Sequence, residues 1–230
     1  MEHPEAIDDL LTVEPLTDAE LDALATADLA LEAQDGREPK RQTAGQETGV
    51  GHAKRLVTRA RRHRTYDLRN VPHAVALIKP LPRRGEVIHA VMGGDFAAWD
   101  LVPAILDLAA RPADELFICT LGFNASNNGH LCQLLDQGAI RKAHLLASDY
   151  FAKADPSTFK PAQEHLAARG VRLVSARTHA KVIGLAFEPE HFYVIEGSAN
   201  LRSCNNLEQF TLTNDRDLYR FHQTWIHSIT

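Results

Sequence analysis

From Val87 onward, short apolar runs and stretches of helical period take turns along the chain. Val87–Met92, 115–123, 143–147 and 171–176 are apolar runs of strand length. Between them stand Trp99, Leu101, Val102, Ile105, Leu106 and Leu108, then Leu131, Leu134 and Leu135 ahead of Gly138, then 161–169 closed by Gly170. Spacings of three and four residues predict helices that each bury one stripe. Strands joined through helices run the same way, because the crossover lays each helix back on a sheet face. The alternation therefore predicts an α/β fold on a largely parallel sheet flanked by helices. Run 74–78 reads as one more strand ahead of Pro80, Pro82 and Gly85. Val182–Phe187 and 192–195 flank Glu188-Pro189-Glu190, which predicts an antiparallel pair across a short turn and makes the sheet mixed. Segment 215–229 reads as a closing helix.

His179 and Lys181 stand two apart at the mouth of the first strand of that pair, so their side chains share one face. Ser198 and Asn200 repeat the spacing just past the second strand. A nucleophilic imidazole, a fixed cation, a hydroxyl and an amide are thereby set to converge on one anionic group. Gly93-Gly94-Asp95 lacks the later Gly, Lys and Ser/Thr of a phosphate cradle and reads as a turn. In open α/β sheets, sites form beyond the carboxyl ends of strands. That rule makes loops 124–128 and 149–155 candidate walls of a cleft, against the plainer reading of ordinary polar loops.

The formal charge of −5 hides a strong asymmetry. Residues 1–35 hold eleven Asp or Glu and no Lys or Arg, whereas 36–70 hold ten Lys or Arg against three acids. Thr17 and Glu20 form a capping box ahead of Leu21, Leu24, Leu29 and Leu31, predicting an amphipathic helix over 17–34. Polar, Gly-containing 36–51 reads as a linker. Segment 52–69 carries Lys54, Arg55, Arg59, Arg61, Arg62, Arg64 and Arg69. Such a cluster either contacts phosphates, gaining affinity by counterion release, or is a solvated helix face that neutralises the acidic arm. Tyr66 stands alone, so base stacking gains no support. Cys119, Cys132 and Cys204 are odd in number and lack CxxC spacing, which argues for reduced thiols and against a disulfide framework or zinc knuckle. Without a run of eighteen apolar residues or a basic, apolar leader, a cytoplasmic protein with no stable membrane association is expected.

His179-x-Lys181, then Gly197-Ser198-x-Asn200, then Asn206-x-Glu208 together resemble the HxK…GSxN…NxE signature of the phospholipase D superfamily. The set occurs once, as in the family's small single-motif endonucleases, and the likeness runs from about Val87 to the end. The resemblance implies an extension over 1–70 and a phospholipase D-like catalytic domain over 71–230. It implies a metal-independent phosphodiesterase without cofactor, in which His179 attacks phosphorus. Lys181 and Asn200 hold non-bridging oxygens, Ser198 is a supporting donor, and Glu208 orients the other ring nitrogen. One motif supplies one histidine, and the family's single-copy members dimerise so that two motifs face each other at a two-fold interface. The symmetry mate then serves as general acid.

The family's usual Asp, five residues after the Lys, is Ala186 here, with Glu188, Glu190 and Glu196 as candidate substitutes. Arg202 adds positive field or faces solvent, Cys204 lies inside the motif loop, and His130, His144 and His165 lack ligand spacing and read as surface or packing residues. The basic segment favours DNA or RNA as substrate. Phospholipid cleavage and a catalytically silent nucleic-acid-binding member are the rival readings.

Overall fold

The computed structural model describes residues 53–57, 62–66, 71–92, 97–201 and 207–229. The helix expected over 17–34, the linker 36–51 and the turn at Gly93-Gly94-Asp95 lie outside the described residues, as do Arg59, Arg61, Arg202, Cys204 and Asn206. In chain order the elements are β1 (Ala53–Val57), β2 (Arg62–Tyr66), α1 (Val71–Ile78), β3 (Val87–Met92), a 3-10 turn (Ala98–Asp100) and α2 (Leu101–Ala109). There follow β4 (Glu115–Thr120), α3 (Ala125–Asp136), β5 (Ala143–Ser148), α4 (Asp149–Ala154), α5 (Pro156–Ala167) and β6 (Arg172–Ala176). β7 (Val182–Phe187), β8 (His191–Gly197), β9 (Glu208–Asn214) and α6 (Arg216–Ser228) complete the fold.

Three local expectations change. Run 74–78 is helical, within α1: Ala74, Leu77 and Ile78 fall at i, i+3 and i+4 and are fully buried on one face. Five residues of apolar character fit either period, and here the helical one wins. Segment 149–155 is a helix, α4, in place of a cleft loop. Ser148 caps it by accepting the Tyr150 N–H at 3.2 Å, and Phe151 buries itself completely. α5 begins five residues before the expected 161, because Asp155 accepts the Thr158 N–H at 3.1 Å and Pro156 occupies the first turn.

The strands form one sheet in the order β2-β1-β3-β9-β8-β7-β4-β5-β6. Of its eight pairings only β4–β5 and β5–β6 are parallel, so the largely parallel sheet is corrected to a mostly antiparallel one. The crossovers do what the alternation predicts, since β3, β4, β5 and β6 all run the same way. Adjacency differs: β9, β8 and β7 insert between β3 and β4, and every pairing they make is antiparallel. At the far edge, β1 and β2 carry part of the basic segment 52–69 as an antiparallel pair whose inner strand joins β3, in place of the helix face that was one of the two readings of that segment.

Alternate residues of the inner strands face two cores. Leu116, Ile118, Ile183, Leu185, Tyr193, Ile195, Phe210 and Leu212 meet α1, α2, α3 and α5 on one face. Phe117, Cys119, Val182, Ala186, Phe192 and Val194 meet Tyr219 and Ile226 of α6 on the other. Gly184 is required by this second packing, because a Cβ there would overlap the Phe117 ring. β7, buried along its whole length, reads as an unbroken apolar run for the same reason.

Candidate functional site

The strand directions bring the carboxyl ends of β4 and β8 and the amino ends of β7 and β9 to one rim of the sheet. His179 and Lys181 lie in the segment that enters β7, and Ser198 and Asn200 in the segment that leaves β8. These segments are joined by the Gly197 N–H, which donates to the Lys181 carbonyl at 3.3 Å. Gly197 can only be glycine at this point. A Cβ would overlap the Gln209 carbonyl oxygen and press on Phe210 Cβ at 3.0 Å, holding β8 off β9.

His179 is exposed, and the Lys181 ammonium stands 3.1 Å from its Nδ1 and 3.4 Å from its carbonyl oxygen. An ammonium only donates, so Nδ1 accepts in this contact. The loop is shaped by Thr178, whose hydroxyl accepts the Ala180 N–H at 3.2 Å and lies 3.5 Å from Cys119 Sγ on β4. Burial pushes the Cys119 thiol up to about 11, with Thr178 and Lys181 acting in the opposite sense, so this sulfur is a packed neighbour of the site and not a thiolate.

Ser198 is exposed and held on both sides by β9. Its N–H donates to Gln209 O at 3.0 Å, its Oγ accepts the Gln209 N–H at 3.0 Å, and its hydroxyl donates to the Glu208 carboxylate. Glu208, which the resemblance assigns to orienting the imidazole, accepts the Ser198 hydroxyl. Asn200 is almost fully buried, with Oδ1 accepting the Leu121 N–H at 3.2 Å and lying 3.4 Å from Thr120 Oγ1. All five expected residues, His179, Lys181, Ser198, Asn200 and Glu208, therefore gather at one rim. Thr120, Leu121 and Thr178 join them, and sequence spacing offers no sign of that. The recess behind the rim, lined by Cys119, Thr120, Lys181, Gly197 and Ala199, measures about 10 Å³. It has room for one water, so any larger group would be met at the exposed rim.

Ala186 is buried among Phe117, Phe192 and Tyr219, far along β7 from His179. Of the candidate substitutes, Glu188 pairs with Arg220 at 2.9 Å on the surface, Glu190 is exposed, and Glu196 holds the buried His222 at 3.1 Å. The carboxylate at Ala186's own level belongs to Glu115, its register partner on β4. Glu115 accepts the Tyr219 hydroxyl at 3.1 Å and the Gln223 amide, and lies 3.3 Å from His227 Nε2, clamping α6 to the sheet. Glu115 was missed because its partners sit on a helix a hundred residues away in sequence.

The expected loop 124–128 is instead the N-cap and first turn of α3, where Asn124 and Asn127 cap the helix reciprocally at 2.8 and 3.1 Å. His130 accepts the Trp99 indole N–H at 3.0 Å, His165 meets Asn128 at 3.4 Å, and His144 is buried against His227. Among the described residues, no group of three or more His, Cys, Asp and Glu is placed to hold a metal ion, and no helix is long and apolar enough to cross a membrane. Lys54, Arg55, Arg62 and Arg64 lie on β1 and β2. Three strands, β3, β9 and β8, separate that pair from β7, which starts at the rim.

No protein-family model matches the chain, and no curated protein matches it in sequence. Among solved structures it is similar to Nuc from Salmonella typhimurium, a phospholipase D family member, with a TM-score of 0.44 and 15% identity over 61% of this chain and 93% of that one. It is also similar to the phosphatidylserine synthase of Haemophilus influenzae Rd KW20, with a TM-score of 0.43 and 17% identity over 60% of this chain and 37% of that one. A third similarity is to TrmBL2, an archaeal chromatin protein whose structure shows a novel mode of DNA binding, with a TM-score of 0.40 and 12% identity over 91% and 61%. The chain thus spans less than two thirds of the second and third of these proteins. What it does is read from its own side chains.

Proposed function

We propose that the chain is a metal-independent phosphodiesterase of the phospholipase D type, a nuclease that cleaves DNA or RNA through a phosphohistidine on His179. The observation that carries the reading is the 3.3 Å hydrogen bond from Gly197 to Lys181. It sets the HxK and GSxN segments side by side at an open rim, with an exposed imidazole and an ammonium 3.1 Å apart.

An incoming phosphodiester is an anion and competes for that ammonium. Lys181, a point charge on a flexible stem, moves from the imidazole to a non-bridging oxygen and frees the ring nitrogen. A nitrogen lone pair of His179 then forms the P–N bond as the bond from phosphorus to the leaving oxygen breaks. Lys181 and the Asn200 amide stabilise the charge that grows on the phosphoryl oxygens. The leaving oxygen takes a proton from the His179 of a second copy across a two-fold axis. In the second step that same imidazole takes a proton from water. The hydroxide forms a P–O bond as the P–N bond breaks, and both histidines return to their starting state. The basic segment 52–69 supports nucleic acid over lipid as the substrate, through phosphate contacts along the strand.

A second reading, a binder without turnover, is favoured by one observation. The Ser198 hydroxyl donates a hydrogen bond to Glu208 and Lys181 sits on the imidazole, so the polar groups are already satisfied by one another. Purified protein incubated with single-stranded and plasmid DNA in excess EDTA separates the two. Cleavage is expected to survive chelation and to fall by on the order of 10³-fold or more in His179→Ala. Tight binding with no cleavage, even with metal restored, would leave the silent binder. Cleavage of phospholipid vesicles alone would make the enzyme a phospholipid phosphodiesterase of the same chemistry.

A further inference from the structure

His179 stands outside the strands that flank it. β6 ends at Ala176, and the ladder between β4 and β7 begins only where Cys119 pairs with Val182. Residues 177–181 cross from one strand to the next without regular structure. Backbone pairing takes hold of this crossing at its far end, where the Gly197 N–H reaches the Lys181 carbonyl at 3.3 Å. Nearer the imidazole, Thr178 does the holding. Its hydroxyl oxygen accepts the Ala180 N–H at 3.2 Å, which closes a turn with His179 as the enclosed residue. The same oxygen lies 3.5 Å from Cys119 Sγ, so the turn is also tied to β4.

The anchors on either side of His179 are firm. Cys119 is 1% exposed and packs with Phe117 and Val182 in the core beneath α6, so its sulfur does not follow a moving loop. Ala180 packs against the same core. His179, between the two anchors, is the exposed residue and meets the Lys181 ammonium at 3.1 Å. Thr178 is half-buried, and its oxygen is the junction of both bonds, one to the turn and one to the strand. A methyl group in place of that oxygen would take the acceptor from the Ala180 N–H and the tie from Cys119. Resting on the phosphodiesterase reading, we propose that Thr178 is a positioning residue that fixes the backbone of His179, through Ala180 and Cys119, so that the imidazole meets phosphorus in the geometry of attack.

Thr178→Val keeps the shape of the side chain and removes both contacts. It is expected to lower kcat by roughly 10- to 100-fold with KM within about two-fold of wild type, because a misplaced nucleophile slows the chemical step and not the binding of substrate. Thr178→Ser keeps the oxygen and should stay within about three-fold of wild type. Cys119→Ala removes the tie to β4 and should lower kcat less than Thr178→Val does. Combined with Thr178→Val, it should add less than about two-fold, since the tie is already gone. Losses that multiply in the double variant, or full activity in Thr178→Val, overturn the proposal.

A second measurement does not need turnover. In protein labelled with 15N at histidine alone, the His179 backbone amide is the resonance lost in His179→Ala. Its order parameter is expected to be roughly 0.85, that of rigid backbone, in wild type and Thr178→Ser, and below about 0.6 in Thr178→Val. The amides of His144 on β5 and His222 on α6 should keep their wild-type values in all three proteins. A mobile His179 in wild type, or a rigid one in Thr178→Val, refutes the assignment. A fall at His144 and His222 as well would make the change global and refute it equally. A wild type that cleaves nothing would remove the phosphodiesterase reading, while the order parameter would still decide whether Thr178 holds His179.

Discussion

His144 ties the stability of the fold to pH. Its ring lies on β5 at 8% exposure, 4.6 Å from the His227 ring on α6, and its Nε2 is buried with no hydrogen-bond partner. Burial lowers its pKa most, the charge on His227 and then Arg172 add to this, and a hydrogen bond with the Ile226 backbone works the other way. Glu115 faces the pair through His227, 3.3 Å from Nε2. The result is a pKa lowered to about 4 from 6.5. In the unfolded chain the imidazole takes a proton near pH 6.5, whereas in the folded chain it refuses one until about pH 4. Between those values the unfolded state binds more protons, so stability falls as pH falls, at about 1.4 kcal/mol per pH unit. Across the whole window the loss is about 3 kcal/mol, and below it the dependence levels off. His144→Phe keeps a ring in the same space and removes the proton. Urea unfolding of both proteins at steps from pH 7.5 to 4.5 should show the wild type losing about 2–3 kcal/mol more than the variant over that range. Carboxylates titrating near pH 4 contribute to both and cancel in the difference. Two curves that stay parallel would refute the reasoning, whatever their offset at neutral pH.

Gly197→Ala should cost about 1–3 kcal/mol of stability by overpacking, and it should lower activity further by displacing Ser198. The atoms its Cβ would meet include the Gln209 backbone oxygen, which cannot swing aside. A variant with wild-type thermal unfolding and wild-type kcat would show that β8 and β9 have room to spare. Ala186→Asp places a carboxylate at a site that is 2% exposed, opposite Glu115 and among aromatic rings. It is expected to destabilise by about 3–5 kcal/mol at neutral pH. Burial raises the new carboxyl's pKa, so the penalty should shrink as pH falls and the group is neutralised. Unchanged unfolding at pH 7 would mean that the carboxylate finds a cation.

The sequence pattern carried strand direction and left adjacency open. Periodicity located β3 through β8 and left β9 unannounced, and the crossovers made β3, β4, β5 and β6 run the same way, as the alternation requires. Nothing local says that β7, β8 and β9 enter between β3 and β4. That insertion is a choice among sheet orders, made by which apolar faces match, and it turns a parallel expectation into a mostly antiparallel sheet. The rim was legible for a different reason. His179 and Lys181, like Ser198 and Asn200, are coupled to each other by strand geometry two residues apart, and the β7–β8 turn brings the two pairs level. Thr120 and Glu115 are coupled to their partners only through the strand order. Thr120 reads as a residue at the end of a strand, and Glu115 as a polar residue at the start of one. These contacts exist because β4 is the strand beside β7, so one end of β4 lies against the Asn200 side chain while the other holds α6. Any carboxylate or hydroxyl placed on a neighbouring strand at the same level would do as well. Ala186, where the sequence resemblance calls for an Asp, thus has a carboxylate at its level of the sheet, since Glu115 lies across the pairing.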